Sequence, residues 1–463
     1  MRDAHLAVVT AALVVTAGLL AGCSSAAPPQ PAVSPTPTTT SDPHPRLAAP
    51  ALGADWTTYH QDNARTGTAA GLAPLGTLST AWHANLDGAV YGQPLVVGDT
   101  VLAATENDTV YGLNAGTGAT LWSAHVGTPM PRSALPCGDV DPLGITGTMV
   151  YDPATSLVFA VAETTGGTHT LFGIDVRTGR VAVRTGVEPP AGDRIAHQQR
   201  SALTLLNGRV YVAYGGLFGD CGHYVGSVVS VTTAGADPLQ YAVPTGREGG
   251  IWNPGGATVS GGTLLYTVGN GESTGGSYDG SDSVIALSPT LNRTDVFAPS
   301  SWPQDNASDL DLGSGSPAVL GGWVFVAGKR GTGYVLATGH LGGVGGQVAQ
   351  AQVCRSFGGT AIAGDRIIVP CPEGPLAVAV AANGTPSVVW RAPVGAAGSP
   401  TVGGGAVWVV DYDAGVLYAL DPGNGHVRAQ VTVGTAPHFA SPTLSGSRAY
   451  VGTNSGVVAV AGA

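Results

Sequence analysis

The residues of this sequence that could do chemistry are a few carboxylates, one amide and a single amine. The carboxylates are Asp220, Asp309 and Asp311, and the amide is Asn270. The amine is Lys329, the one lysine among 19 basic residues. Carboxylate and amide oxygens are hard ligands of the kind that Ca²⁺ takes. An aspartate in a partly dry site can accept a proton, and a nearby amine can stabilise developing negative charge.

Each of these residues also has a purely structural interpretation. Asn270 lies between two glycines, a good turn sequence that needs no metal. The acidic run at 305–311 could be a solvated loop or a structural Ca²⁺ loop, although it lacks the full EF-hand pattern. Lys329 could simply pair with a carboxylate, and Trp252 could pack between structural units. The fold must place these residues together before the chemical interpretation gains weight.

Composition and charge restrict both the fold and the partners. Hydrophobic residues make up 43% and charged residues only 11%, which is not the composition of a disordered chain. The 71 glycines punctuate β-branched segments, as expected for short strands joined by tight turns. The net charge of −11 argues against binding to a phosphate backbone, so we expect no nucleic-acid partner.

A repeated pattern of short strands and glycine turns dominates the sequence, at a spacing of roughly 40 to 60 residues, the size of a propeller blade. Its eight copies start near Gln93, Gly147, Ser201, Gly255, Gly315, Gly358, Gly398 and Ala440. A four-stranded blade buries both faces when blades stack radially around an axis. The last copy has three strands, and we expect residues 78–86 to supply its fourth. The sequence therefore predicts an all-β, eight-bladed β-propeller over residues 56–463, with seven blades and an irregular one as the alternative.

Unusual polar residues collect in two kinds of loop, those that enter an innermost strand and those between a blade's second and third strands. Both kinds open on the same face of a propeller, where function usually lies. These loops hold Asp139, Arg200, Asp220, Trp252, Asn270, Asp309, Asp311, Lys329, Arg355 and His438. We therefore predict a single funnel on this face.

The cysteines fall in the same loops. Apart from Cys23, the sequence has Cys137, Cys221, Cys354 and Cys371, an even number that suggests disulfides in an exported chain. Three pairings are open. We favour Cys354–Cys371, within one blade, and Cys137–Cys221, between neighbouring blades, because the alternatives would reach across the ring.

One segment carries a resemblance to a known family. Residues 113–122, with the sequence LNAGTGATLW, resemble the Ala-x-Asp-x-x-Thr-Gly-x-x-x-Trp repeat of quinoprotein propellers, which use pyrroloquinoline quinone (PQQ). Weaker copies occur at 174–179 and 420–425. The same repeat is found in cofactor-free envelope lipoproteins similar to the outer-membrane assembly propeller. The resemblance therefore implies a propeller class and leaves the activity open.

The quinoprotein dehydrogenases of this family imply roles for individual residues. In that reading, the chain would hold PQQ and Ca²⁺, with one aspartate as base and the lysine polarising a quinone oxygen. The assignments are Trp252, Lys329 and Arg200 for the quinone, Asp220, Asn270 and Asp309 for Ca²⁺, and Asp309, Asp311 and Lys329 for catalysis. The sequence departs from the family in having no adjacent cysteines and no Cys-x-x-Cys-His haem site. Any electron acceptor would therefore be external.

The N-terminus predicts export. An apolar run from Leu6 to Leu20 has the length of a signal-peptide core and is short for a membrane span. It ends in Leu20-Ala21-Gly22-Cys23, which resembles a bacterial lipobox; an ordinary signal peptide is the alternative. We predict a lipoprotein signal peptide at 1–22, lipidation of Cys23 and a Pro/Ser/Thr/Ala-rich tether at 23–55. The protein would then be exported and lipid-anchored to the outer side of the cell membrane.

Two functions fit these observations. The first is an envelope lipoprotein that presents the propeller as a binding or scaffold module, for an unknown envelope protein or a small molecule at the funnel. The second is a divergent PQQ- and calcium-dependent alcohol or sugar dehydrogenase. Only the second requires a cofactor.

Overall fold

The computed structural model describes residues 55–395 and 397–463. The predicted signal peptide (1–22), the lipidation at Cys23 and almost all of the predicted tether (23–55) lie outside these residues. Within the described part, no helix is both long and apolar enough to cross a membrane.

The described strands form eight sheets, which are the blades of a β-propeller, as the sequence predicts. The first strand is β1 (Ser79–Asn85), and blade 1 has β2 (Leu95–Val97), β3 (Thr100–Ala104), β4 (Thr109–Asn114) and β5 (Thr120–His125). Blade 2 has β6 (Val150–Asp152), β7 (Leu157–Thr164), β8 (Thr168–Asp175) and β9 (Val181–Gly186). Blade 3 has the short β10 (His197–Gln198), then β11 (Thr204–Leu206), β12 (Arg209–Gly216), β13 (Ser227–Thr232) and β14 (Leu239–Ala242). Blade 4 has β15 (Thr258–Ser260), β16 (Thr263–Val268), β17 (Ser283–Leu287) and β18 (Arg293–Ala298).

The second half of the ring repeats this plan. Blade 5 has β19 (Ala318–Leu320), β20 (Trp323–Ala327), β21 (Thr332–Ala337) and β23 (Ala349–Gln352), while the intervening β22 (Gly343–Val344) pairs in parallel with β18 of blade 4. Blade 6 has β24 (Ala361–Ala363), β25 (Arg366–Val369), β26 (Leu376–Val380) and β27 (Pro386–Arg391). Blade 7 has β28 (Thr401–Gly403), β29 (Ala406–Asp411), β30 (Val416–Leu420) and β31 (Val427–Thr432). Blade 8 has β32 (Thr443–Ser445), β33 (Arg448–Thr453) and β34 (Gly456–Ala461).

The N-terminal strand closes the ring. Strand β1 pairs antiparallel with β34, with Ser79 opposite Ala461 and Asn85 opposite Gly456. It thereby becomes the fourth strand of blade 8, as predicted from residues 78–86. The pairing covers the outer edge of β34 and gives blade 8 its four strands.

The repeated sequence motif joins neighbouring blades. In the turn between β4 and β5, Asn114 Oδ1 accepts hydrogen bonds from the backbone N–H groups of Gly116 and Thr117. Gly118 follows with φ of 74°. The ring of Trp82, from the preceding blade, lies so close to Gly118 that a Cβ on Gly118 would be 2.6 Å from the ring. Trp82 Nε1 donates to the carbonyl of Ala115 at 3.0 Å.

The same arrangement recurs at two other turns. Trp122 covers Gly179 and donates to the Val176 carbonyl, and Trp390 covers Gly425 in the same way. The family motif therefore builds the ring, and it lies in turns that do not open on the predicted funnel.

The core consists of blade-to-blade interfaces. One hydrophobic cluster joins blades 2 and 3 through Phe159 and Val212, and the next joins blades 3 and 4 through Ala213 and Tyr266. Full burial of a large side chain contributes about 1.5 to 3 kcal/mol. Outer strands alternate instead: β5 exposes every second residue, because only one of its faces packs.

Residues 55–76, which precede β1, pass through the centre of the ring. We call them the inner segment. Trp56 pairs with Val96 of blade 1, and the carbonyl of Thr57 accepts from the N–H of Tyr151 in blade 2. Further backbone hydrogen bonds join the inner segment to blades 4, 6, 7 and 8 at Val259, Ile362, Val402 and Gly462. The sequence analysis gave this segment no role.

Two buried side chains anchor the inner segment. The Arg65 guanidinium donates to the carbonyls of Tyr59, Leu203 and Ala257 and to two threonine hydroxyls. The ring of His60 lies between the Thr360 carbonyl, at 2.8 Å, and the Ser441 hydroxyl, at 2.9 Å. Burial lowers the pKa of His60 to about 3, so this ring is neutral.

Helix is rare in the described residues. A short α-helix, α1 (Trp302–Ala307), occupies part of the acidic run that the sequence suggested as a loop, and 3₁₀ turns form at Arg132–Ala134, Arg194–Ala196 and Leu312–Ser314. Asp305 of α1 is buried and pairs with Arg330. Part of the acidic run is therefore structural.

Candidate functional site

The predicted funnel is present as a cavity of about 550 Å³. Every residue that the sequence analysis proposed for a cofactor, a metal or catalysis lines it: Arg200, Asp220, Trp252, Asn270, Asp309, Asp311 and Lys329. They come from loops of blades 3, 4 and 5 that open on one face. The structure thus brings the residues together, while their roles stay predictions.

Lys329 joins two carboxylates at the funnel wall. Its Nζ lies 2.5 Å from Asp309 Oδ1 and 2.6 Å from Asp311 Oδ2. The side chains of Lys329 and Asp311 are largely buried, at 14% and 7% exposure, whereas Asp309 is 65% exposed. The attraction between Lys329 and the buried Asp311 is therefore the stronger of the two, because the solvent screens the charge of Asp309.

Burial and charge act in opposite directions on this pair. Burial raises the pKa of Asp311, and the Lys329 ammonium partly offsets that rise. Burial lowers the pKa of Lys329, but the attraction of Asp311 and Asp309 outweighs it, so the pKa is raised overall. Lys329 is therefore positively charged at neutral pH.

A glycine allows Asp311 to reach its position. Asp311 Oδ1 accepts from the backbone N–H of Asn270 at 2.7 Å. A Cβ at the neighbouring Gly269 would lie 2.2 Å from that same oxygen, so a larger residue there would displace the carboxylate. The backbone N–H of Leu312 also donates to the buried Asp282, which fixes the loop from behind.

Asn270 offers the clearest free ligand atom. Its Nδ2 donates to Asp309 Oδ1 at 2.9 Å, which orients the amide. Its Oδ1 is buried and has no hydrogen-bond partner among the described residues. An orphaned, buried amide oxygen suits a hard cation or a ligand donor.

The remaining predicted Ca²⁺ ligands are less free. Asp220 Oδ1 accepts from the Tyr224 hydroxyl at 2.5 Å, and Asp309 already shares its Oδ1 with Lys329 and Asn270. Over residues 55–395 and 397–463, no three His, Cys, Asp or Glu side chains assemble into a metal-binding group. Asn270 Oδ1 therefore fits a cation, whereas a complete Ca²⁺ site would need oxygens from a ligand.

Aromatic rings form the apolar part of the funnel. Trp252 is half-buried and lies against Phe439, with 6.3 Å between ring centroids. Lys329 Nζ is 5.6 Å from the Trp252 ring centroid, within reach of a cation–π interaction. A flat face beside a fixed positive charge is suited to a planar anion.

Arg200 is a cation without a polar partner. Its guanidinium lies 4.7 Å from the ring centroid of Phe439 and 5.7 Å from that of Tyr91. In the part of the chain that the structure describes, it has neither a hydrogen bond nor an ion pair, although it lines the cavity. Five N–H donors held between rings and facing a cavity are prepared for an anionic ligand.

The inner segment contributes to a second, smaller cavity next to the funnel. A small cavity of about 10 Å³ lies below Arg200 and Phe439, and Tyr59 of the inner segment lines it together with Tyr91. The space accommodates about one water molecule. Arg200, His438 and Phe439 line both cavities, so the inner segment approaches the funnel through Tyr59.

Both favoured disulfides are present at the rim. Cys137 bonds to Cys221, which ties the loop entering blade 2 to blade 3, and Cys354 bonds to Cys371 within blade 6. Cys371 itself lines the cavity. The cross-links therefore hold the funnel loops in place.

Several lining residues were not singled out by the sequence analysis. They are Tyr91, Tyr224, Phe357 and Tyr412. Each is an aromatic residue in a loop, and no local spacing separates such a residue from one that packs in a core.

Comparison with known proteins agrees with this architecture. A family profile described as "Outer membrane protein assembly factor BamB" matches residues 76–256 and 342–462, more than half of the chain. No curated protein matches significantly.

Solved structures show the same fold at low identity. The quinohemoprotein alcohol dehydrogenase from Comamonas testosteroni has 16% identity and a TM-score of 0.67, covering 89% of this chain and 81% of that one. BamB from Moraxella catarrhalis has 16% identity and a TM-score of 0.60, with 83% and 99% covered. A europium-containing methanol dehydrogenase has 15% identity and a TM-score of 0.65, with 86% and 89% covered. These similarities establish the fold, and the profile match shows that this chain belongs to the family of PQQ-repeat β-propellers described as outer membrane protein assembly factor BamB.

Proposed function

We propose that this protein is an exported, lipid-anchored binding module whose funnel takes a planar, anionic small molecule. The observation that carries the proposal is Arg200, a guanidinium held between two aromatic rings and facing a cavity, with no hydrogen-bonded or ion-paired partner in the described chain. Asp139 and Glu106 attract it only from beyond ion-pair distance. A guanidinium in that position loses part of its hydration. The two hydrogen bonds of a bidentate carboxylate ligand would replace the lost contacts with water.

The other walls of the funnel support the same class of ligand. Trp252 and Phe439 offer flat apolar surfaces, and the Lys329 ammonium, although it is paired with Asp309 and Asp311, lies beside the Trp252 ring. Asn270 Oδ1 provides an acceptor without a partner. A flat, negatively charged and oxygen-rich ligand would match the rings and the Arg200 guanidinium, and a Ca²⁺ ion bound with it would be the partner of Asn270 Oδ1.

PQQ is a suitable probe because it is a planar tricyclic quinone that carries several carboxylates. We expect saturable micromolar binding to the purified full-length protein, measured by calorimetric titration with and without Ca²⁺. Arg200→Met should weaken binding by about 10- to 100-fold, the value of one charge-assisted hydrogen-bonded pair. Arg177→Met, which removes a well-exposed arginine on blade 2, is the matched control and should bind as the parent does.

The titration can also reject the proposal. Absence of binding at high micromolar PQQ, in both conditions, would leave an envelope protein as the occupant of the funnel. Equal affinity of the Arg200→Met variant and the parent would show that the guanidinium is not the anchor.

A second candidate function is favoured by the Asp311–Lys329 pair. It is a PQQ- and calcium-dependent dehydrogenase of alcohols or sugars. Bound PQQ would supply a quinone that accepts the hydride, and with it both electrons, from the carbon of the alcohol. Asp311, whose pKa is raised by burial, would accept the hydroxyl proton, and Lys329 would hold positive charge beside the ligand. Asn270 and Asp220 would be the first ligands of Ca²⁺.

Catalysis is tested separately from binding. Reduction of an artificial electron-accepting dye by alcohols or aldoses, in the presence of PQQ and Ca²⁺, would support the dehydrogenase. Asp311→Asn should then abolish turnover while PQQ still binds. Binding without dye reduction for any alcohol or sugar would restrict the function to the binding module.

The lipid anchor rests on the sequence from Leu20 to Cys23 alone. In cells, the parent protein should fractionate with membranes. Cys23→Ser should release it into the soluble envelope fraction or stop its maturation. Membrane association that is unchanged in the Cys23→Ser variant would contradict lipidation at this residue.

A further inference from the structure

A second group of buried acids lies at the joint between blades 1 and 2, apart from the funnel lining. Glu106 and Asp108 come from the β3–β4 loop and Glu163 from β7, and their relative exposures are 2%, 0% and 1%. Gly144, in the loop entering blade 2, contacts all three. Its N–H donates to Glu106 Oε2 at 2.8 Å, its carbonyl accepts from the Glu163 N–H at 3.2 Å, and a Cβ there would be 2.8 Å from Asp108 Oδ1.

Two of these carboxyls lack the partners that ionised groups need. Both carboxyl oxygens of Asp108 and Oε1 of Glu106 have no hydrogen-bond partner among the described residues, and neither side chain forms an ion pair there. A buried carboxylate without compensation costs several kcal/mol. Protonation removes that cost.

Glu163 differs because it has a cationic neighbour. Its Oε2 lies 3.4 Å from His169 Nε2, and His169 Nδ1 lies 3.1 Å from Glu188. Burial lowers the pKa of His169, but Glu163 and Glu188 outweigh it and raise the pKa to about 9. His169 is therefore positively charged at neutral pH and lies between Glu163, whose own pKa is raised by burial, and Glu188. Its charge is directed at these two carboxyls and not at Glu106 and Asp108.

Burial favours the neutral forms of both acids, and the surrounding charges add to this effect at Asp108, whereas Arg200 opposes it at Glu106. The titratable groups that face them from the surrounding loops and strands are Asp87, Tyr91, Glu163, His169, Glu188 and Arg200. Burial raises the pKa of Glu106 to about 7, although Gly144 and Thr146 donate to it. Burial, followed by repulsion from Glu106, Glu163 and Asp87, raises the pKa of Asp108 to about 8.

We propose that Glu106 and Asp108 form a pH-sensitive joint between blades 1 and 2, which is tight while both carboxyls carry protons and loosens when they ionise. Glu106 bridges the blades directly, through the Gly144 N–H and the Thr146 hydroxyl of blade 2. Ionisation places two like charges in one buried space, where their repulsion acts on that bridge. In the described chain no group of carboxylates or histidines is assembled to bind a metal ion, so protons are the compensation that the geometry offers.

The sign of the pH dependence follows from linkage. Both folded-state pKa values lie above the ordinary values of 4.5 and 3.8. The folded protein therefore holds more protons than the unfolded chain between about pH 4 and 8. The stability contributed by protonation is complete below the unfolded values and is lost as the pH rises through about 7 to 8.

Thermal melts of the full-length protein between pH 5.5 and 9 test the proposal. The melting temperature of the parent should fall by about 3 °C or more from pH 6 to pH 9. The double variant Glu106→Gln, Asp108→Asn keeps the shapes and cannot ionise, so it should lose most of this fall and melt higher than the parent at pH 9. Asp413→Asn, which removes an exposed carboxyl in blade 7, should keep the fall.

Two results would overturn the proposal. One is an equal fall in the parent and the double variant. The other is a rise in the parent's melting temperature with Ca²⁺ at pH 8 that is absent in the double variant, which would mean that the carboxyls are ionised around a cation. If the double variant does not fold, infrared difference spectra between pH 6 and 9 test the proposal instead. The parent should lose a protonated-carboxyl band as the pH rises. The Asp108→Asn variant should show a smaller loss of that band.

Discussion

At the residue scale, the funnel is defined by which charges are paired and which are not. Lys329 is held by two carboxylates, whereas Arg200 is held only by aromatic rings. The sequence indicated both residues through loop position and family resemblance. It could not show that they differ, because Arg200, Tyr91 and Phe439 come from blades 3, 1 and 8 and meet only after the ring closes. Whether each of these two cations has an anionic partner decides which groups a ligand must supply, and this depends on the fold.

Replacing Lys329 tests the buried half of its ion pair. Lys329→Met should lower the free energy of unfolding by about 1 to 3 kcal/mol, because Asp311 would remain buried without a cation. The loss should be greater at pH 8 than at pH 5. Without Lys329 the pKa of Asp311 rises further above its unfolded value, and the stability linked to its proton is lost as the pH passes through the folded value.

Urea unfolding at the two pH values measures this effect. Adding Asp311→Asn to the Lys329→Met variant should restore part of the lost stability, since the uncompensated charge is then gone. A deficit of equal size at pH 5 and pH 8 would indicate lost packing and not an unpaired carboxylate.

At the element scale, turns explain both the success and the limits of sequence reasoning. The motif at 113–122 predicted the propeller because its parts are local: an Asx turn, a glycine with positive φ, and a tryptophan that covers the next blade's glycine. The acidic run was harder, since α1 forms from one turn of helix and its buried Asp305 is fixed by Arg330 from another loop. Nothing in the local sequence distinguishes that aspartate from the exposed Asp309.

The close approach at Gly269 gives a prediction for the loops. Gly269→Ala would place a methyl group 2.2 Å from Asp311 Oδ1, so the carboxylate must move away from the Asn270 N–H. We expect PQQ-class binding to weaken by about tenfold or more and unfolding to require about 1 to 3 kcal/mol less. Gly322→Ala is the control, because its Cβ would meet nothing within 4 Å.

Calorimetry and denaturant unfolding of both glycine variants measure these effects. Full retention of binding by Gly269→Ala, together with unchanged stability, would show that the Asp311 carboxylate has room to shift and that its position is unimportant for the site.

At the scale of the whole molecule, the chain closes the ring twice. Strand β1 completes blade 8, and the inner segment joins blades 1 to 4 and 6 to 8 from inside. The first closure was predictable because the last repeat has only three strands, so a fourth strand had to come from elsewhere in the chain. The second was not, because its contacts span up to several hundred residues and follow no period. The inner segment also approaches the site, since its Tyr59 lines the small cavity beside Arg200.

Arg65 tests the second closure. Arg65→Met would leave the Tyr59, Leu203 and Ala257 carbonyls without this donor, and we expect a loss of about 3 kcal/mol or more in the free energy of unfolding. Arg177→Met should change stability by less than about 0.5 kcal/mol, because Arg177 is exposed. Similar stability of the two variants in urea would mean that the inner segment does not hold the ring together.

The central claim is that the funnel receives a planar anion on Arg200. A crystal structure of the protein saturated with PQQ tests it most directly. We predict the quinone inside the funnel, with a carboxylate hydrogen-bonded to the Arg200 guanidinium and a flat face toward Trp252. A funnel that stays empty at saturating PQQ, or PQQ bound elsewhere while Arg200 keeps its present surroundings, would contradict the account.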